Sequence, residues 1–192
     1  MHARLAVVSL LLACGGPAAA DPPDLNGLWN LNASLSQDIA EKIKLAAGSA
    51  SMSGSVSWAT ETWIPWTGGF SEGQRVEMRE FLLATVPALQ AVEIEQSPQE
   101  VKTVHGESGV RVFNLKRSSA GSSAMTGETV TRQARWQGEQ LVLESKGKES
   151  RLLELLTLVP TRNQLNYAIR LEHKLLKQPL EVSLVYDRGV SR

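Results

Sequence analysis

From Leu89 onward, apolar and polar residues alternate with a period of two in short runs, and no other feature constrains the fold of this chain as strongly. The runs are Leu89 to Gln96, Val101 to His105, Val110 to Leu115, Gly127 to Trp136, Gln140 to Ser145, Arg151 to Val159, Gln164 to Leu171 and Leu180 to Tyr186. Turn material separates them: Ser97-Pro98, Gly106 to Gly109, Gln137-Gly138, Lys146-Gly147 and Thr161-Arg162-Asn163. Short strands at such close spacing predict an antiparallel meander. A meander of that length is best closed on itself, because open strand edges template aggregation. Alternation is sharpest where Val130, Arg132, Ala134 and Trp136 oppose Thr129, Thr131, Gln133 and Arg135, and where Leu165, Tyr167, Ile169 and Leu171 oppose their polar neighbours. Each such strand offers one face to a core and one to water or a polar lumen. Leu152 to Val159 is apolar on both faces except at Glu154 and Thr157, which predicts a strand covered on both sides, one of them by a helix.

The preceding stretch has a different period. Leu25 to Asn32 reads as a strand opened by Gly27. Ser34 stands three residues before Gln37, a capping-box spacing, and Ile39, Ile43 and Ala46 or Ala47 share a helical face, which predicts a helix over about 35–47. The Gly/Ser stretch Gly48 to Ser55 leads to an extended segment, Val56 to Ile64, closed by Pro65. Ser71 and Gln74 repeat the capping spacing, and Val76, Met78, Phe81 and Leu82 predict a second helix stopping near Pro87. Residues 34–87 thus form a two-helix insertion after the first strand.

Residues 1–20 read as a signal peptide: Arg4 gives the positive start, Leu5 to Leu12 an apolar core too short to span a bilayer, and Ala18-Ala19-Ala20 a cleavage site. The remaining 21–192 are expected to form a single domain. The chain's one cysteine, Cys14, lies in the leader, so the exported part can hold neither a disulfide nor a cysteine-ligated metal. Leu11-Leu12-Ala13-Cys14 also resembles a bacterial lipobox, which would lipidate Cys14 and tether the domain through the Gly/Pro/Ala-rich segment that follows. Two fates stand side by side: free secretion, and outer-membrane anchoring through Cys14. Lys plus Arg and Asp plus Glu each number 20, so no broad field favours nucleic acid or an anionic surface. No nucleic-acid partner is expected, and membrane contact only through a lipid on Cys14.

Two passages carry a resemblance. Gly27-Leu28-Trp29-Asn30-Leu31-Asn32 followed by Ser34, and Trp136-Gln137-Gly138-Glu139-Gln140-Leu141, resemble the opening strand and a mid-chain hairpin of exported bacterial proteins with lipocalin-like β-barrel domains. The first also resembles the Gly-x-Trp that opens lipocalins. That resemblance implies that Trp29 plugs the closed end of a barrel. The order of one strand, two helices and a meander is similar in topology to intracellular fatty-acid-binding proteins, whose helix pair covers the barrel mouth.

Candidate ligand contacts cluster in the insertion. Trp58, Trp63, Trp66 and Phe70 place four of the chain's aromatic residues in one short segment. They can form a lid that touches an apolar or sugar ligand, or simply seal the insertion onto the barrel. Arg111, Arg132 and Arg135 can each put a guanidinium in the lumen, and Arg132 stands out because it shares the face of Val130, Ala134 and Trp136. The plain alternative is a hydrogen-bonded structural arginine. Glu93 and Glu95 lie on one strand face, as solvated glutamates usually do. His105 and His173 have no neighbours at metal-ligand spacing, so neither a metal nor a cofactor is expected. Gly-x-Ser-x-Gly elbows and phosphate loops are absent from the sequence.

Taken together, the pattern predicts a mainly β protein: an antiparallel, lipocalin-like β-barrel of about eight to ten strands with a two-helix insertion after the first strand. The expected role is non-catalytic binding of a small hydrophobic or amphipathic molecule in the barrel, outside the cytoplasm. The rival is a cell-envelope structural or protein-interaction module whose barrel is filled by side chains. The protein partner that such a module would take is not specified by the sequence.

Overall fold

The computed structural model describes residues 21–49, 51–56, 64–69, 72–86, 90–106, 109–122 and 129–189, with backbone alone for 49, 51–56, 64–69, 74, 77, 84, 85 and 122. The chain begins with β1 (Gly27–Leu31), α1 (Ile39–Ser49), β2 (Ser51–Val56), β3 (Ile64–Gly69) and α2 (Glu72–Thr85). Nine strands follow: β4 (Ala91–Gln96), β5 (Glu100–Val104), β6 (Val110–Asn114), β7 (Ser119–Ser122), β8 (Thr129–Gln137), β9 (Gln140–Lys146), β10 (Ser150–Val159), β11 (Gln164–His173) and β12 (Leu180–Arg188).

Ten of these strands form one antiparallel sheet in the order β6-β5-β4-β1-β12-β11-β10-β9-β8-β7. The first strand sits in the middle, between the last strand and the first strand of the meander. The sheet curls until β6, at one end, packs against β8 near the other. The result is a nearly closed barrel with its helix pair inserted after β1, a lipocalin-like architecture set by strand order alone. Tight turns hold the meander in register. Gln137 pairs with Gln140 across the two-residue turn Gly138-Glu139, where Gly138 has φ +61 and an ordinary side chain would be strained.

Register fixes which residues face inward. Glu154 opposes Ile169 and Leu143, Tyr167 opposes Leu156 and Leu184, and Leu165 opposes Tyr186. The core these residues form also takes in Ile43 and Ala47 of α1 and Met78 and Leu82 of α2, so the helices cap the end where β11 finishes and β12 begins. Leu25, Trp29, Val101, Phe113 and Tyr186 fill the opposite end. Trp29 is fully buried there, its indole N–H donating to Leu25 O at 2.9 Å.

Several boundaries depart from the sequence expectation. α1 starts at Ile39, not near 35, because Asp38 Oδ1 accepts the Glu41 N–H as the cap. Ser34 instead donates to Asn32 Oδ1, and the intervening chain runs beside β12 through Asn32 N–H to Val185 O and Gln37 N–H to Ser183 O. The Gly/Ser stretch is divided: Gly48 and Ser49 end α1, and from Ser51 it runs as β2, paired with β3, where Pro65 lies opposite Ser55, a place that a two-stranded ribbon tolerates on its open side. Of the extended segment 56–64, residues 57–63 lie outside the described residues. β7, Ser-Ala-Gly-Ser, has no apolar alternation and went unpredicted. β10 is not covered on both sides: Leu153 and Leu155 are half-buried on its outer face, and α1 packs on β12.

Candidate functional site

The inward face carries a polar belt among its apolar walls. Arg111 on β6 sends Nη1 to Glu154 Oε2 at 2.8 Å and Nη2 to Glu154 Oε1 at 2.7 Å, a bidentate pair. The Tyr167 hydroxyl also donates to Glu154 Oε1. Arg111 Nη2 lies 2.8 Å from His105 Nε2. A guanidinium can only donate, so Nε2 accepts, and the neutral imidazole carries its proton on Nδ1. Glu154, His105 and Thr103 are at most 1% exposed.

Electrostatics follow from that packing. Burial alone would raise the Glu154 carboxyl, but Arg111 outweighs it and holds the group below its ordinary value. Burial works against the Arg111 charge as well, and Glu154 reverses this to leave its pKa raised. For Tyr167, burial and then the Glu154 charge both push the phenol well above its usual range. His105 moves the other way: burial first, then Arg111, lower it to about 4, so the ring is neutral near pH 7.

Three buried polar side-chain atoms on inward-facing positions have no hydrogen-bond partner among the described residues: Thr103 Oγ1, His105 Nδ1 and Ser145 Oγ. Thr103 lies opposite Arg111, and Ser145 opposite Arg132. A buried donor or acceptor left unpaired costs about 1–3 kcal/mol, so three in one lumen require an explanation.

Each residue singled out in the sequence has a definite place or falls outside the description. Arg132 faces inward with Val130, Ala134 and Trp136, half-buried, its pKa lowered by burial and then by Arg111. Arg135 points outward and pairs with Glu144. Trp66 lies on β3, where backbone alone is described. Cys14, Trp58, Trp63 and Phe70 lie outside the described residues. Glu93 and Glu95 are exposed, with Glu95 bonded to Lys102. Among the described residues, no group of three His, Cys, Asp or Glu side chains is arranged to hold a metal ion. Sequence reasoning missed Glu154 as a lumen residue and gave His105 no role. Glu154 did carry a signal, since its spacing puts it in phase with Leu152, Leu156 and Leu158, the inward residues of β10.

No family model matches the sequence, and no curated protein matches it. Solved structures of similar outline include a variant of the REP1-NXSQ fatty acid transporter, 13% identical, covering 86% of this chain and 98% of that one, with a TM-score of 0.49. Human cRBP IV is 17% identical, covering 88% and 100%, also at 0.49. Fatty-acid-binding protein 1 of Echinococcus granulosus is 8% identical, covering 86% and 98%, again at 0.49. Likeness at this level ends at the outline, and the fold assignment rests on strand order.

Proposed function

We propose that this protein is an exported, non-catalytic binding module whose barrel holds a small hydrophobic or amphipathic molecule beneath the two-helix cap. The polar belt carries this reading. A scaffold barrel gains little from a buried ion pair, since apolar replacements of similar volume are often neutral or stabilising. It gains nothing from unpaired Thr103, His105 and Ser145 atoms beside that pair. Apolar walls with a few converging polar groups are what a site for a small molecule requires. Export rests on the leader pattern of Arg4, Leu5 to Leu12 and Ala18 to Ala20.

A second reading has its own observation. Trp29, Phe113, Leu143, Leu156, Tyr167, Ile169 and Tyr186 are at most 1% exposed, so side chains fill the middle of the barrel in this conformation. A cell-envelope structural or interaction module would look the same. The readings part on whether the helical cap yields to a ligand, a population shift that apolar contacts of Ile43, Met78 and Leu82 would resist. Methyl NMR with hexadecanol decides between them. Shifts at Leu143, Ile169 and Val182, together with a bound amphiphile in native mass spectra of protein from its own host, support binding. Unchanged spectra at saturating amphiphile favour the filled barrel.

A further inference from the structure

We propose that the head group this barrel accepts is uncharged, a hydroxyl, ester or amide received by His105 and Thr103, and that Glu154 excludes carboxylates. The inference rests on the binding reading above and names its ligand class.

Arg111 is the inward-facing cation, its side chain 15% exposed, that would otherwise attract an acid, yet both of its terminal nitrogens already donate to Glu154. The Tyr167 hydroxyl is turned to the same carboxylate. The chain thus supplies its own anion to the lumen. An incoming carboxylate would have to share one guanidinium with the fully buried Glu154, placing two like charges close together where water screens them poorly. Arg132, on the same inward face, does not escape this, because the Glu154 charge acts on it as well.

What the belt offers beyond that pair is neutral. His105 Nδ1, just past the end of β5, carries a proton with no acceptor among the described residues, and Thr103 Oγ1, two residues back on β5, can donate and accept. Both side chains are at most 1% exposed, so water does not compete freely for them. One donor beside one donor-acceptor matches an alcohol or a carbonyl oxygen at the end of an apolar chain. A site built to hydrogen-bond such a group discriminates strongly against a ligand that cannot make those bonds.

The test compares hexadecanol with hexadecanoic acid at about pH 7, by tryptophan fluorescence titration of the protein with its leader removed. The alcohol is expected to bind at least about tenfold tighter, a difference of about 1.4 kcal/mol. Glu154→Gln removes the resident anion and should shrink or reverse the preference. Thr103→Val, close in shape to the parent, should weaken the alcohol about tenfold and leave the acid unchanged, so the inference stays testable if Glu154→Gln fails to fold. Equal or tighter binding of the acid by the parent overturns the head-group inference and leaves the binding reading standing. Binding of neither compound overturns the binding reading itself.

Discussion

Arg111 and Glu154 join two strands, β6 and β10, that share no hydrogen-bonded edge, through a bidentate pair at 2.7 and 2.8 Å. β6 is one terminal strand of the sheet, and the pair ties it across the interior to β10, inside the other half. Removing one partner leaves the other charged and buried. Arg111→Met or Glu154→Leu alone is expected to cost about 3–5 kcal/mol in urea unfolding, while the double variant recovers most of the loss. Additive losses in the double-mutant cycle would show that the two groups are stabilised separately.

Acid should unfold the protein through the same cluster. His105 titrates at about 4 when folded against 6.5 ordinarily, so between those values the unfolded chain binds more protons and stability falls as pH drops. The loss amounts to about 3 kcal/mol at the lower end of the window. Glu154, lowered in the folded state, acts in the same direction: its contribution is present above the unfolded value and disappears as pH falls through the folded one. Unfolding free energies measured from pH 7 to pH 4 should therefore slope downward, and His105→Gln should flatten the upper part of that slope. A variant with the parent's slope would remove His105 as the cause.

Trp29 is fully buried, with the Arg188 guanidinium 4.5 Å from its ring centroid. Trp29→Ala is expected to cost about 3–5 kcal/mol, the range for deleting a large packed aromatic. A loss below about 1 kcal/mol, measured by chemical unfolding, would mean that the plug is dispensable.

Legibility followed periodicity. Runs with strict alternation, such as Leu165 to Leu171, gave the right strand and the right inward face, because one slip in register would expose a whole row of leucines. Ser119 to Ser122 was not legible as a strand because it has no apolar row to announce its pairing with β8. Ser34 misled for a local reason: Asn32 captured its hydroxyl, and the edge of β12 captured the chain beyond. Arg132 was readable as inward from its face alone. The Arg111–Glu154 pair was not, since its members are 43 positions apart and meet only when the sheet curls.

The leader reading of residues 1–20 and the lipobox reading of Cys14 can be told apart. If Ala18-Ala19-Ala20 directs cleavage, the secreted protein begins at Asp21, and Cys14→Ser changes neither its amino terminus nor its distribution. Loss of membrane association in that variant, followed by fractionation and amino-terminal sequencing, would establish the lipid anchor instead.

Adjacent leucines on α2 give a direct test of how the cap is seated. Leu82 is fully buried in the common core, while Leu83 is 51% exposed. Helical geometry turns neighbours by about 100°, so a cap docked in this orientation must respond to one substitution and ignore the other. Leu82→Ala should cost about 2–5 kcal/mol, and Leu83→Ala should stay within about 0.5 kcal/mol of the parent. If the cap instead rests loosely on the barrel and spends much of its time open, Leu82→Ala will cost little. Hydrogen exchange of α2 will then run far ahead of exchange in β11 and β12. That outcome would also tell how readily the mouth admits an amphiphile, since Met78 and Leu82 must leave the core before anything can pass beneath them.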